Sequence, residues 1–415
     1  MAQLSKSSIT CEPQIKFLVI QYGARHNYAI PLAFNRASAL AGVYTDMTAS
    51  QGIGALLNYL PAKPKYVKNI LQRRVPPSEI RDRMHAFGEA FMADLFSRSV
   101  QKWLGTQIDG YTANTYWREQ AMSRRGIGHA THIYTMFGEG GSFVRRAKTK
   151  GLEVVGDVYI ALSADPIVYQ ESINFPDWSD GLPSVARIED QAMRNETLLN
   201  FTDKLVCPSE FVRDDLVKNH GVAPDKVTVV HYGVSTRWTT LESSTEVGRI
   251  LFAGSANLRK GIHYLAMAAA SLKGICNIRV AGGASDIVRN HPAASSLTFL
   301  GHLGPKQMAE EFSRADVFVL PTLAEGSAGV TAEALGSGIP VVTTKAAGSI
   351  VRDRVDGLIV SERDPDLLAE AIRSIVEDRD RRQRMSAAAR ENAKAATWDN
   401  FANGVFDAIS RERRP

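Results

Sequence analysis

Two glutamates, Glu325 and Glu333, flank a run of small residues in the stretch Glu325-Gly-Ser-Ala-Gly-Val-Thr-Ala-Glu333. The apolar run 317–320 precedes this stretch, and a short helix is expected to carry it to Leu335. In an open parallel sheet, ligands bind beyond the carboxyl ends of the strands, where helix N-termini offer free N–H groups and the positive end of a dipole. A diphosphate suits that place. Ser327, Ala328 and Gly329 are small enough for backbone N–H groups to approach phosphate oxygens, while Glu325 and Glu333 can accept hydrogen bonds from sugar hydroxyls. A second cluster, Gly254-Ser-Ala-Asn-Leu-Arg259-Lys260-Gly261, follows the apolar run 250–253 and opens another helix. Arg259 and Lys260 there could neutralise the charge that builds on a leaving nucleoside diphosphate. A basic pair at a helix start is by itself more often a solvated surface feature. It gains weight here from the glutamate pair.

The elements that must position these groups alternate in type. Strand signals at 15–20, 131–136, 154–160, 204–207 and 227–230 are separated by helical periods, notably 79–104 and 187–200. Ser209 is placed to cap a helix running to about 220. The first strand ends at Tyr22-Gly23-Ala24-Arg25, where the glycine permits a tight turn. Residues 236–248 then turn polar and lose all periodicity. A second series follows, with strands at 250–253, 278–281, 297–300, 317–320, 340–343 and 358–360, helices between them, and three helical segments at the end. Such alternation implies parallel sheets. The expected domains are 1–238 and 246–397, with a closing helix in 398–415 whose Phe401, Val405, Phe406 and Ile409 recur at helical spacing and need an apolar surface, expected at the domain junction.

Length and composition agree. At 415 residues the chain exceeds the roughly 250–300 that one core supports, and 44% hydrophobic with 22% charged residues is an ordinary globular balance. No apolar run approaches the roughly 18 residues of a membrane span. Residues 1–13 are polar and carry no secretory h-region, so a cytoplasmic protein is expected. Cys11, Cys207 and Cys276 are too few and too far apart for a disulfide framework or a zinc site. Asp364-Pro-Asp366 reads as a helix cap with proline in the first turn rather than a metal motif, and the nine histidines show no ligand spacing, so no metal is expected. Residues 63–83 carry Lys63, Lys65, Lys68, Arg73, Arg74, Arg81 and Arg83 against Glu79 and Asp82. That stretch is equally a solvated face or a peripheral contact with an anionic membrane at the inner face. No motif for nucleic acid is present.

The glutamate stretch resembles the Glu-x7-Glu motif of retaining glycosyltransferases of family 4. The likeness extends to Pro208-Ser-Glu-Phe-Val-Arg213, His231-Tyr-Gly-Val234, Arg259-Lys-Gly261, Phe299-Leu-Gly301, Ala315-Asp-Val-Phe-Val-Leu-Pro321 and Gly338-Ile-Pro-Val-Val342, and is close to continuous from about Ile188 to Trp398. The resemblance implies the GT-B fold, an α/β architecture of two facing Rossmann-like domains with parallel sheets and an interdomain cleft. It implies transfer of a hexose-type sugar from a nucleoside-diphosphate sugar, based on UDP or GDP, to a glycan or lipid-linked acceptor. On this likeness Glu325 contacts the donor sugar, Glu333 holds the ribose hydroxyls, and Lys260 with Arg259 holds the diphosphate. Gly254, Ser255, Gly326, Ser327, Ala328, Gly329 and Val330 would line the donor, Gly282 and Leu303 would border the base, and Gly23 would approach from the N-terminal domain. The front-face mechanism of the family needs neither a side-chain base nor a cofactor.

Departures from the family pattern are specific. Ser255 stands where members often have arginine, and Ser235 where they often have aspartate. No histidine follows the strand at 154–160, where the chain reads Ala161-Leu-Ser-Ala-Asp165-Pro166, so that role falls to Asp165 or His26 or is absent. The other readings open at this stage are a non-catalytic sugar-nucleotide or carbohydrate-binding module and a phosphorylase of the same fold.

Overall fold

A computed structural model of the chain describes residues 15–59, 65–88 and 110–410. The chain divides into two compact units, Met1–Gly156 with Phe201–Asp203, and Asp157–Asn200 with Lys204–Pro415. The first carries β1 (Phe17–Ile20), β2 (Leu40–Thr45), β3 (Met84–Ala86), β4 (His132–Met136) and β5 (Glu153–Asp157) in the order β3-β2-β1-β4-β5. Phe17 of β1 stands opposite both Leu40 and His132 in parallel register. All four β1 residues are buried, which is why this strand reads as an uninterrupted apolar run rather than an alternation. Helix α1 (Ala29–Arg36) covers it through Phe34, whose ring stacks on Phe17 at 4.4 Å and meets Tyr134 edge-on at 5.2 Å. Helix α2 (Gly141–Thr149) connects β4 to β5 and buries Phe143, Val144 and Ala147.

The helix expected from residue 79 is replaced at its start. Residues Ser78–Arg83 form a 3-10 turn, and Met84–Ala86 then pair with β2 as an edge strand, Val43 opposite Met84. Pairing with residues 41 positions away overrides a local helical pattern; residues 89–104 of that expected helix lie outside the described ones. The basic stretch is partly turned inward: Arg74 pairs with Asp46 at 2.6 Å, and Arg83 Nη1 donates to the Leu40 carbonyl at 2.5 Å. Lys63 lies outside the described residues.

The second unit contains the parallel pair β6 (Lys204–Cys207) and β7 (Val227–Val229). It also holds a six-stranded sheet of β8 (Arg249–Ala253), β9 (Asn277–Ala281), β10 (Leu297–Gly301), β11 (Val317–Leu320), β12 (Val341–Thr344) and β13 (Gly357–Val360) in the order β10-β9-β8-β11-β12-β13. Every pair in this sheet is parallel. From β8 the chain builds one flank and then returns to build the other from β11, so the β8 and β11 ends form a topological switch point, where sheets of this kind bind ligands.

The helices used below are α3 (Ala164–Asn174), α4 (Val185–Phe201), α5 (Ile262–Ser271), α6 (Pro305–Arg314), α7 (Gly329–Gly336), α8 (Pro365–Glu377), α9 (Arg379–Ala395) and α10 (Trp398–Ser410). Asp364 caps α8, accepting the Leu367 N–H at 2.9 Å, with Pro365 in the first turn. Asp316, wholly buried at the foot of β11, accepts from Gly248 N at 2.9 Å and from Arg379 at 2.7 and 2.8 Å, so α9 is tied to the sheet. Phe401, Val405 and Ile409 of α10 are buried, and the helix packs on β6. Helix α3 is joined to α5 by Glu171, whose side chain is wholly buried. Its Oε1 takes His263 Nε2 at 2.9 Å and the Tyr264 hydroxyl at 2.6 Å, and its Oε2 takes Arg363 Nε at 3.0 Å.

Among the described residues no helix is long and apolar enough to cross a membrane.

Candidate functional site

The chain leaves β8 through Gly254, whose φ of 141° is open only to glycine. Gly282, at the end of β9, lies so close that a Cβ would overlap the Gly254 carbonyl. Asn257 then caps a 3-10 turn, Leu258–Lys260, by accepting the Lys260 N–H at 3.1 Å, and α5 begins. This loop is fastened to the one that follows β11. The Arg259 carbonyl accepts both the Thr322 hydroxyl and the Leu323 N–H at 2.8 Å.

The second loop carries Glu325. Its N–H donates to the Ala346 carbonyl and that of Ala328 to the Ala347 carbonyl, each at 2.9 Å. Gly326 forms an antiparallel bridge with Ile160, and its carbonyl accepts the Ser209 hydroxyl at 2.6 Å, while Ser209 also caps the short helix Glu210–Asp214. The glutamate is thereby aimed. Glu325 Oε1 accepts from Lys260 Nζ at 2.6 Å and from Arg259 Nη1, a charge-assisted cluster in which the Glu325 and Lys260 side chains are 12% and 11% exposed. Burial lowers the Lys260 ammonium from its ordinary range, with Glu325 opposing that effect and Arg259 adding to it. Helix α7 begins at Gly329, and Glu333 lies on its second turn. Burial raises the Glu333 carboxyl, against a hydrogen bond from Trp238 and the charge of Arg237.

These parts enclose a cavity of about 400 Å³. Gly254, Lys260, Gly282, Leu303, Glu325, Ser327, Ala328, Gly329, Val330 and Glu333 all line it, as do His302 and Met308, which the sequence reading did not single out. His302 had a signal in its place between Gly301 and Leu303 just after a strand. Gly326 is turned to Ile160 instead of the cavity. Arg259 reaches the cavity through Glu325 and, with Ser255 and Asp165, lines a neighbouring cavity of about 740 Å³. A Cβ on Gly326 would overlap the Tyr159 carbonyl. Gly326→Ala is therefore expected to displace the Glu325 loop, seen as a lower unfolding midpoint together with loss of nucleotide binding; an alanine variant with unaltered midpoint and binding would show that the loop is not held there.

Gly23 and His26 belong to the other unit. Gly23 has φ of 72° and donates its N–H to Asp46 Oδ1 at 2.8 Å. His26, Asn27 and Tyr28 follow in left-handed conformations, a run that costs energy for side-chain-bearing residues and is a mark of constrained functional turns. Burial depresses the His26 imidazole to about 4, assisted by Arg25. Glu139, in the glycine-rich turn after β4, accepts the Tyr22 N–H at 2.6 Å and Arg25 at 3.4 Å; burial pushes its carboxyl up to about 8. Glu139 and Asp46 were not anticipated, although Gly138-Glu139-Gly140-Gly141 repeats the strand, glycine turn and helix pattern seen elsewhere.

Residues 248–378 match the family model described as Glycosyl transferases group 1, and residues 166–238 the one described as Glycosyltransferase Family 4. A D-inositol 3-phosphate glycosyltransferase of Xylanimonas cellulosilytica is 29% identical over 253 residues, covering 53% of this chain and 60% of that protein. A glycogen synthase of Mycobacterium tuberculosis is 28% identical over 237 residues, covering 52% and 57%. The chain thus spans somewhat over half the length of these curated relatives. Among solved structures, a glycosyltransferase from Rickettsia africae has a TM-score of 0.61 at 12% identity, covering 97% of this chain and 99% of that one. Anabaena HepE in complex with UDP has a TM-score of 0.62 at 14% identity, covering 96% and 100%, and a further HepE structure holds UDP-glucose. The structural likenesses speak to architecture, the family models to descent, and together with the two parallel-sheet Rossmann-like domains they place this chain in the group 1, family 4 glycosyltransferases of GT-B fold.

Proposed function

We propose that the chain transfers a hexose-type sugar, with retention and without a divalent ion, from a nucleoside-diphosphate sugar to a glycan or lipid-linked acceptor. The observation that carries this reading is the Lys260–Glu325 pair, braced by Arg259 and held at a topological switch point in one cavity with the start of α7 and Glu333. In this reading Lys260 and the first N–H groups of α7 take the diphosphate, Glu333 accepts the ribose hydroxyls, and Glu325 accepts hydroxyls of the sugar. The bond from the anomeric carbon to the phosphate oxygen breaks as the acceptor oxygen bonds the same face. The departing phosphate oxygen takes the acceptor proton, and Lys260 stabilises the charge left behind. The UDP and UDP-glucose complexes of HepE favour uridine as the base. Exposed Lys68, Arg73 and Arg81 leave part of the basic stretch available to an anionic membrane.

Thermal unfolding with UDP, GDP and ADP tests the donor site. Nucleotide at about 100 times its Kd adds about 2.7 kcal/mol, a shift of several degrees. A shift with UDP that disappears in Glu333→Ala is the expected result. No shift with any of the three nucleotides would remove the basis for transfer.

A further inference from the structure

The cavity of about 740 Å³ beside the donor site is formed by α3, by the segment leading into α4, and by the loops after β8 and β9. The wall between the two cavities is thin. Gly254, Lys260 and Gly282 line one side where their chain neighbours Ser255, Arg259 and Gly283 line the other, and His302 lines both. Arg259 also bonds Glu325, so the larger cavity adjoins the proposed partner of the donor sugar.

Its floor is held firmly. The Trp178 ring stacks on His291 at 3.9 Å, His291 Nε2 is 2.9 Å from Asp177, and Glu171 anchors α3 from below. Its polar groups, in contrast, are unspent. The side chains of Asp165, Asp180 and Arg187 are exposed and have neither an ion pair nor a hydrogen bond among the described residues, so their donors and acceptors are free to meet a ligand that enters the cavity. Ser255 adds a hydroxyl and Asn257 an amide, while Val168, Leu258 and Val288 add apolar surface.

We infer that this cavity binds a neutral saccharide unit of the acceptor. Two unpartnered carboxylates accept hydroxyl protons and repel an anionic ligand, Arg187 donates to hydroxyl or ring oxygens, and the apolar side chains suit the C–H faces of a sugar ring. The inference rests on the transferase reading, because only that reading calls for a second sugar next to the donor.

Saturation-transfer NMR on the full chain, with D-glucose, D-galactose, D-mannose, N-acetyl-D-glucosamine, myo-inositol and maltose as probes, tests it. At least one probe is expected to bind, and Asp180→Ala with Arg187→Ala is expected to weaken it about tenfold or more, as for loss of a charged hydrogen bond. Both side chains are exposed and unpartnered, so the double variant should keep the wild-type unfolding midpoint and UDP-induced shift. Binding of none of the probes by wild type, equal binding by the variant, or loss of the UDP shift in the variant would each overturn the inference. Loss of the UDP shift in wild type would instead overturn the donor site.

Discussion

Lys260→Ala is expected to lower turnover by roughly 10²–10³-fold, the usual loss when one preorganised donor to developing charge is removed. The effect should fall more on kcat than on KM, because negative charge on the leaving diphosphate is greater in the transition state than in the bound donor. Lys260 is nearly buried and pointed at Glu325 Oε1 from 2.6 Å, and among the described residues no other lysine or arginine lines that cavity, the neighbouring Arg259 lining the adjoining one. Its lowered pKa adds a pH signature. The ammonium loses its proton at lower pH than an ordinary lysine, so kcat/KM of the wild type should decline on the alkaline side before pH reaches the ordinary lysine value of about 10.4. Steady-state kinetics of donor consumption across pH checks both statements. A fall in kcat of less than tenfold would mean that Lys260 is not the charge that meets the diphosphate.

The second large effect concerns stability. Glu171→Ala leaves His263, Tyr264 and the Arg363 guanidinium without their shared acceptor; Arg363 is half-exposed and can turn to water, but the buried His263 and Tyr264 donors left unsatisfied cost about 1–3 kcal/mol each. In a unit of this size that corresponds to a drop in unfolding midpoint on the order of 10 °C. Acid should also act through this network. Despite burial, the Glu171 carboxyl is held below its ordinary range by His263, Tyr264 and Arg363, so its contribution is present above the unfolded carboxyl value and is lost as pH falls through the folded one. Burial lowers the His263 imidazole in spite of Glu171, so the unfolded chain takes up that proton first, and stability starts to fall below about pH 6.5. Urea unfolding at several pH values reads these contributions. A Glu171→Ala chain as stable as wild type, with the same acid dependence, would show that α3 is held to α5 by packing alone.

The two halves of the glutamate motif and Lys260 could be found without coordinates because each lies in a chain-local unit of apolar strand, glycine turn and helix. A strand buried on both faces, Val317–Leu320, is legible residue by residue as an apolar run, since covered parallel strands need no polar face. Edge strand Met84–Ala86 is not, because its partner lies some 40 positions away and its own residues suit a helix equally well. Gly326 was read as part of the donor lining, yet Ile160 and Ser209, more than a hundred positions earlier, turn it into the brace that aims Glu325. Arg259 was expected on the diphosphate beside Lys260; its contacts with Glu325 and with a second cavity arise from how the β8 and β11 loops meet. His302, Glu139, Asp46 and the Glu171 network have the same origin. Residue type and spacing along the chain select the chemistry that a loop can offer. Which side chain faces the ligand, which one supports it and which charge is left unpaired depend on contacts between distant segments, and those exist only once both sheets and their helices have packed.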